Sequence, residues 1–587
     1  MKKFLLIIIR TIKLVWDVNP NRFCSMALYS LMLGIFPFLQ IWIFQNLLDE
    51  MTKLLAHEKA NTYKVMVLLG CQILGLAITQ LINHVIFTNS AILSDRLREK
   101  ISLQIIQKSN AQDLEFFEDD AKLNVLHNAF QEASSRPLNI VASIFGLFQS
   151  TITLGSLTLS LVKLSYLFLP VLILFSISII PLQKKVSENN FLKIKARTSE
   201  ARKQSYYGNI LMSDWFIKEV RLFNLESYFT NLFKTIFNKF VAQNKLIALQ
   251  QEKAKIHLTL ISIVQSILGL FIILKKSLLN VYSIGEFTFY LQSFGLAQSQ
   301  INNILNTIGE LYSHSLYLSN LFYFLDEFPN SKNTNAIGIT GISSASFEQV
   351  TFKYPSSTYN SLSNLTFSIS KGQIVAIVGK NGAGKSTIVK LLCGFYKPSS
   401  GSILINGIQL DKMDLRNYRR FLSVLFQDFG TYYLSLQENI ALGDIYREIN
   451  NKEMDNAVKF VGAENIVNKL PKGYSTLLGK WFEDGVQLSG GEWLKIGLAR
   501  AYYRDSQFLI LDEPTAALDT KAEREFLERI NLSKENRITI IISHKLSTIK
   551  AADIVLVLQE GRLVDCGTHD ELLKHDGEFF NLYKTLI

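Results

Sequence analysis

Cysteine is scarce in this chain of 587 residues: Cys24, Cys71, Cys393 and Cys566 lie far apart with no C-x-x-C pair. That excludes a disulfide scaffold and a cysteine-rich zinc site. Charge is thin as well, 19% against 48% hydrophobic residues, which excludes intrinsic disorder. The net charge is +11, and its location decides among nucleic acid, an anionic membrane surface and cytoplasmic loops. The length leaves room for several domains.

The missing charge is concentrated. No Asp, Glu, Lys or Arg occurs in 23–48, 65–94, 137–162, 164–183, 256–274 or 287–309. Each run reaches or approaches the ~20 residues that a helix needs to cross ~30 Å of hydrocarbon, so six transmembrane helices are expected. Lys2, Lys3, Arg10, Lys13 and Arg22 precede the first run, Arg96, Arg98, Lys100 and Lys108 follow the second, and Lys184 to Lys203 follow the fourth. Cytoplasmic loops retain positive charge, which places both termini in the cytoplasm and accounts for the basic balance without nucleic acid. Met1–Ile9 has two lysines and an apolar stretch that stops at Arg10 with no small-residue cleavage site. It falls short of a signal peptide and is expected as an interfacial helix.

Segments 95–136 and 184–255 are too long for turns, and the spacing of Leu97, Ile101, Leu103, Ile105 and Ile106 suits helices continuing beyond the membrane. At their turning points, Asp113–Glu118 and Trp215–Phe223 set aromatics beside charges, as on a surface that docks on a second domain; ordinary helix-turn packing is the alternative. Polar Pro329–Asn335 then reads as a linker. Beyond it, short β-type runs (Phe347–Tyr354, Ile374–Val378, Phe508–Leu511, Ile538–Ile542) alternate with helical stretches, the mark of an α/β domain with a largely parallel sheet. The expected fold class is multi-domain: an all-α six-helix transmembrane domain (1–325), a linker (326–343) and an α/β P-loop domain (344–587).

Strand Ile374–Val378 runs into Gly379-Lys-Asn381-Gly382-Ala383-Gly384-Lys385-Ser386-Thr387 and an apolar helix, which is G-x4-G-K-[ST] in the context the motif requires. Its backbone N–H groups would surround phosphate oxygens, Lys385 would reach the β and γ phosphates, and Ser386 would hold Mg2+. Phe508–Leu511 ends in Asp512 and Glu513: the first would orient Mg2+, the second would polarise a water aimed at the γ-phosphate. Leu488-Ser489-Gly490-Gly491-Glu492 opens another helix and could bind an anion, although Ser-Gly-Gly also makes plain turns. His544 at a strand end, Gln427 in a loop and Tyr354, which could stack on a purine, are in isolation as readily structural.

Taken in order, these residues resemble the ATP-binding cassette exporters with the membrane domain first, along essentially the whole chain. The resemblance implies an ATPase coupled to transport that uses ATP and Mg2+. It assigns Tyr354 to adenine stacking and Gln427 to sensing Mg2+. His544 becomes the γ-phosphate switch and Asp519 part of the loop joining two sites. Ser489, Gly490 and Gly491 become ligands to the γ-phosphate of ATP held by the other subunit. The turning points similarly look like coupling helices. With Lys385, Ser489, Asp512, Glu513 and His544 all present, both composite sites of a homodimer would be complete.

Two departures stand out: Glu492 replaces the commoner Gln, followed by Trp493, and Gly479-Lys-Trp-Phe482 with Gly485 lengthens the preceding stretch. The latter is similar to exporters of modified peptides such as lanthipeptides. Met1–Arg22 leaves no room for the peptidase domain of some peptide exporters, so any leader is expected to be removed elsewhere. In the sixth span Gln298, Asn302, Asn306 and Glu310 recur every four residues, and Gln72, Thr79, Asn83 and Gln265 add polar groups. Such residues face a bundle interior or a wet cavity. The expectation is ATP-driven export by alternating access across the cytoplasmic (inner) membrane, with the ATPase domain in the cytoplasm and a peptide or other amphipathic compound as cargo. A lipid or drug exporter is the alternative; an ATP-gated channel or regulatory subunit is a further one.

Overall fold

A computed structural model describes residues 2–56, 61–168, 170–171, 180–279, 282–328, 337–355, 357–515, 520–574 and 577–581. The chain divides into two compact units, Met1–Gln112 with Phe116–Asn330, and Asp113–Glu115 with Ser331–Ile587. The linker stretch Pro329–Asn335 lies outside the described residues, as does much of the fourth apolar run.

The first unit is helical: α1 (Lys2–Trp16), α2 (Pro20–Leu55), α3 (Thr62–Asn110), α4 (Leu114–Glu118, whose first two residues fall in the second unit), α5 (Asp120–Leu164), α6 (Ile180–Ala196), α7 (Thr198–Met212), α8 (Ile217–Leu222), α9 (Glu226–Leu279) and α10 (Ile284–Glu327). Side-chain caps fix several starts. Asn19 accepts from the Arg22 N–H ahead of α2, and Ser283 and Glu286 form a reciprocal capping box at α10. At ~1.5 Å per residue, α3 and α9 far exceed the ~30 Å of a bilayer core. The two ends of α3 accordingly differ. The apolar window near its start buries nothing inside the protein, as a lipid-facing segment should, whereas Leu93, Leu97, Ile101 and Ile105 bury one face beyond it.

Among the described residues, α2, α3, Asn139–Leu164 of α5 and α9 are long and apolar enough to cross a membrane. The sixth run forms a continuous helix within α10, whose amide side chains make it less apolar than those four. The first turning point buries Phe116 against Phe324 and Phe328. At the second, Trp215, Leu222 and Phe223 remain exposed.

The second unit carries two sheets. One is a four-stranded antiparallel sheet, not expected from the sequence, in the order β2 (Leu362–Ser370), β1 (Ser344–Phe352), β4 (Ser400–Ile405), β5 (Ile408–Gln409). The other runs β10 (Arg562–Gly567), β9 (Ile554–Gln559), β3 (Ile374–Gly379), β8 (Ile538–Ile542), β7 (Phe508–Asp512), β6 (Leu422–Leu425). All its pairs are parallel except β9 with β10. Strands β3, β7 and β8 are buried along their whole length, which is why they read as unbroken apolar runs and not as alternating ones. Parallel neighbours end on the same edge, so the residues after β3, β8, β7 and β6 emerge side by side.

Candidate nucleotide site

That shared edge collects the predicted side chains. After β3, Gly379 has φ 149° and Gly384 has φ 99°. A Cβ at Gly379 would stand 2.2 Å from the Leu558 carbonyl oxygen, and one at Gly384 would stand 2.8 Å from that of Ser361. Only glycine fits where the backbone turns this tightly. The loop delivers Lys385, first residue of α11 (Lys385–Leu392), into a buried position. Its ammonium donates to the carbonyls of Gly379 (2.6 Å) and Lys380 (3.1 Å) and to Nε2 of His544 (3.0 Å). Lysine has no lone pair to offer, so Nε2 is the acceptor and the neutral ring carries its proton on Nδ1. Burial lowers the pKa of Lys385, opposed by the charges of Glu513 and Asp512. Burial, then the Lys385 charge, lowers that of His544 against the pull of Glu513.

Asp512 ends β7, buried, and accepts the Ser386 hydroxyl at 3.1 Å. Burial raises its pKa, while the Ser386 bond acts the other way. Among the described residues no cluster of three or more His, Cys, Asp or Glu could hold a metal. Ser386 and Asp512 do offer two hard oxygens at one point, a donor set that suits Mg2+ when phosphate oxygens and water complete the shell. Glu513, the next residue, is left-handed at φ 51° and donates its N–H to the Ile542 carbonyl at 2.9 Å. Such a conformation costs a non-glycine residue about 1–3 kcal/mol and persists only where its surroundings hold it. Its carboxylate lies 3.4 Å from Nε2 of Gln427, which follows β6, and 3.9 Å from Nε2 of His544.

Tyr354 stands edge-on to Phe352 and Tyr396, and its hydroxyl meets Oγ1 of Thr387 at 3.2 Å. The Thr387 side chain therefore points to Tyr354, and Lys390 lies 5.3 Å from the Tyr354 ring. Asn381 and Gly382 are exposed at the loop tip, while Ala383 is buried. Asp519 lies outside the described residues.

Ser489, Gly490 and Gly491 sit elsewhere, at the head of α12 (Gly490–Tyr503), where Ser489 and Gly490 are exposed. Leu488 and Trp493 anchor this turn in a hydrophobic cluster with Leu425, Leu509 and Leu511. Glu492 closes a capping box: its carboxylate accepts both the N–H and the hydroxyl of Ser489 at 2.9 Å, and its own N–H donates to that hydroxyl. The Ser489 N–H leads in holding the Glu492 carboxyl below its ordinary pKa. In the preceding insertion Trp481 is exposed and stacks on Tyr433 with an interplanar angle of 5°.

The four-residue stripe in the sixth span divides. Gln298 donates to the Ser262 carbonyl and accepts the Ser266 hydroxyl, and Asn302 donates to the Ser262 hydroxyl, so both are used between α9 and α10. Gln265 is likewise spent on the Val171 carbonyl and Thr79 on Gln40 and Gly75. The exposed polar face of α10 is instead Gln292, Gly295, Ser299, Asn303, Asn306 and Glu310. Steps of three and four hold one helix face, whereas repeated steps of four drift by ~40° each. That alternating spacing was the signal available in the sequence. Lys545 and Glu523, described below, have no comparable signal.

The family pattern described as "ABC transporter" matches residues 362–516. The chain is 31% identical to the Subtilin transport ATP-binding protein SpaT of Bacillus subtilis, covering 96% of this chain and 92% of SpaT. It is 28% identical to the Nisin transport ATP-binding protein NisT of Lactococcus lactis subsp. lactis, over 98% of this chain and 95% of NisT. Among solved structures, a bacterial Atm1-family ABC exporter with ATP bound aligns with a TM-score of 0.78 and 22% identity, over 97% of this chain and 98% of that one.

Proposed function

We propose, on the premise that this chain belongs to the ABC transporter family with its membrane unit fused ahead of its nucleotide-binding unit, that it exports a peptide from the cytoplasm. ATP hydrolysis coupled to transport is the family's activity. The observation that carries the reading to this chain is the edge where Lys385, His544, Asp512, Glu513 and Gln427 converge. The peptide class is supported by similarity, along nearly the whole chain, to transport proteins for subtilin and nisin.

In this reading two copies form a homodimer in the cytoplasmic membrane. Each ATP lies between the Gly379–Thr387 loop of one copy and Ser489–Gly491 of the other, with Tyr354 against the adenine. Lys385 exchanges its carbonyl and His544 partners for β and γ phosphate oxygens. Ser386 and Asp512 would hold Mg2+, with Gln427 sensing it, and the ion would neutralise phosphate charge. Glu513 takes a proton from the attacking water, and His544 holds the γ-phosphate. Binding energy that differs between inward-facing and outward-facing states shifts their populations, and hydrolysis resets them. The turning points at 113–118 and 215–223 transmit the change. The exposed face of α10 supplies neutral hydrogen-bonding groups and one acid, Glu310, suited to the amides and basic groups of a peptide.

The test is uptake by inverted proteoliposomes supplied with labelled cationic amphipathic peptides, a labelled phospholipid and a small lipophilic dye. ATP-dependent accumulation of peptide against its gradient is expected. Accumulation of lipid or dye alone would replace the cargo, and downhill flux with non-hydrolysable ATP would favour a gated channel.

A further inference from the structure

Next to the reacting groups lies an ion pair, its carboxylate buried and its lysine side chain 38% exposed, with no place in the steps above. Lys545, directly after His544, donates from its ammonium to Oε2 of Glu523 and to the Thr515 carbonyl, both at 2.7 Å. Glu523 is 5% exposed in the first turn of α13 (Thr520–Leu532), and its Oε1 accepts the Ser547 hydroxyl. The Lys545 ammonium thus links the segment after β7 to the Glu523 carboxylate at the start of α13, and that carboxylate also accepts from Ser547 in the segment after β8. Thr515 is two residues beyond Glu513, and Lys545 is one beyond His544.

Stability alone does not account for this arrangement: the Lys545 side chain is 38% exposed, and an ion pair open to water on one side contributes little. What an apolar pair cannot supply is directional bonding to two separate chain segments. Glu513, moreover, is left-handed and keeps that conformation only where neighbouring structure dictates it. Its N–H is tied to Ile542 on β8. The Lys545 bond to Thr515 is a second tie between the same two segments on the other side of Glu513.

We propose that Lys545 and Glu523 are positioning residues for ATP hydrolysis, fixing the separation of Glu513 and His544 so that both address one γ-phosphate. Neither touches the reacting atoms, and the proposal rests on the roles given above to Glu513 and His544.

The test uses the full-length transporter in lipid nanodiscs. Lys545→Gln is expected to lower kcat for ATP about tenfold while KM and ATP affinity stay within about threefold, and Lys545→Arg to retain at least about half of kcat. On a His544→Ala background, Lys545→Gln is expected to add little further loss, because residues acting as a unit are not additive. An unchanged kcat in Lys545→Gln overturns the proposal. So do a loss shared by kcat, ATP affinity and thermal midpoint, and full multiplication of the two losses. Should Lys545→Gln not fold, Ser547→Ala removes one bond to Glu523 and must show the same split, smaller in size; its absence overturns the proposal. A wild-type protein that does not hydrolyse ATP would instead overturn the functional reading.

Discussion

Nζ of Lys385 lies 3.0 Å from Nε2 of His544, across the boundary between β3 and β8. The two side chains are 159 positions apart in the chain, and the parallel pairing of their strands brings them together. The lysine that would bind phosphate is therefore partnered by the histidine that would recognise it, and nucleotide must compete for the same ammonium. His544→Ala is expected to reduce hydrolysis about 10²-fold or more, within the range of a positioned catalytic group. ATP affinity should change little, as measured by equilibrium binding beside steady-state turnover.

The same bond has a pH signature. Burial and the Lys385 charge depress the folded pKa of His544, so between that value and the ordinary ~6.5 the unfolded chain binds more protons than the folded one. The stabilisation is present above about pH 6.5 and lost as pH falls through the folded value. The thermal midpoint of the nucleotide-free protein should drop on acidification below about pH 6.5, and His544→Asn should flatten that slope. An identical slope in the variant contradicts the assignment.

Glu513→Gln preserves size and the backbone tie to Ile542 but removes the base. Hydrolysis should fall about 10² to 10⁴-fold with ATP still bound, and transport should stop. Brisk turnover by this variant removes Glu513 from its role. Glu513→Gly also removes the base but tolerates the left-handed backbone, and the relief should offset part of the lost packing, by up to about 1–3 kcal/mol, in a thermal-midpoint comparison.

Glu492 places a full negative charge on the turn that would meet the partner's γ-phosphate. Glu492→Gln keeps the capping geometry and removes that charge, so KM for ATP should fall about two- to fivefold, an electrostatic gain that added salt weakens. The helix start loses about 0.3–1 kcal/mol of favourable charge-dipole interaction. An unchanged KM at low salt would show that Ser489 lies away from phosphate in the working dimer.

Much of this architecture was legible because its signals are local. Gly379–Thr387 sits between a buried strand and a helix within one short stretch, and Asp512 and Glu513 end an unbroken apolar run. The transmembrane runs declared themselves by missing charge. The remainder depends on which strands become neighbours. Nothing near Gln427 in the sequence says that β6 pairs with β7, so resemblance gave it only a role in sensing Mg2+, and its place beside Glu513 comes from the fold. Glu523 and Lys545 carry no motif, since their meaning lies in three segments meeting through one ion pair. The α10 stripe pointed to a bundle interior or a wet cavity, and its four-residue drift around the helix divides it: Gln298 and Asn302 lie inside the bundle against α9, while Asn306 and Glu310 stay exposed.

The central claim is that nucleotide at the β3–β8–β7–β6 edge changes the shape of the membrane helices. Its most direct test is electron spin resonance on a spin label at exposed Met51, near the end of α2, in the Glu513→Gln protein with native cysteines replaced, reconstituted in lipid. The account predicts that ATP with Mg2+ redistributes the label-to-label distance within the dimer between two populations, and that nucleotide removal restores the first. A single distribution indifferent to ATP, while the labelled protein with Glu513 restored hydrolyses normally, would contradict it.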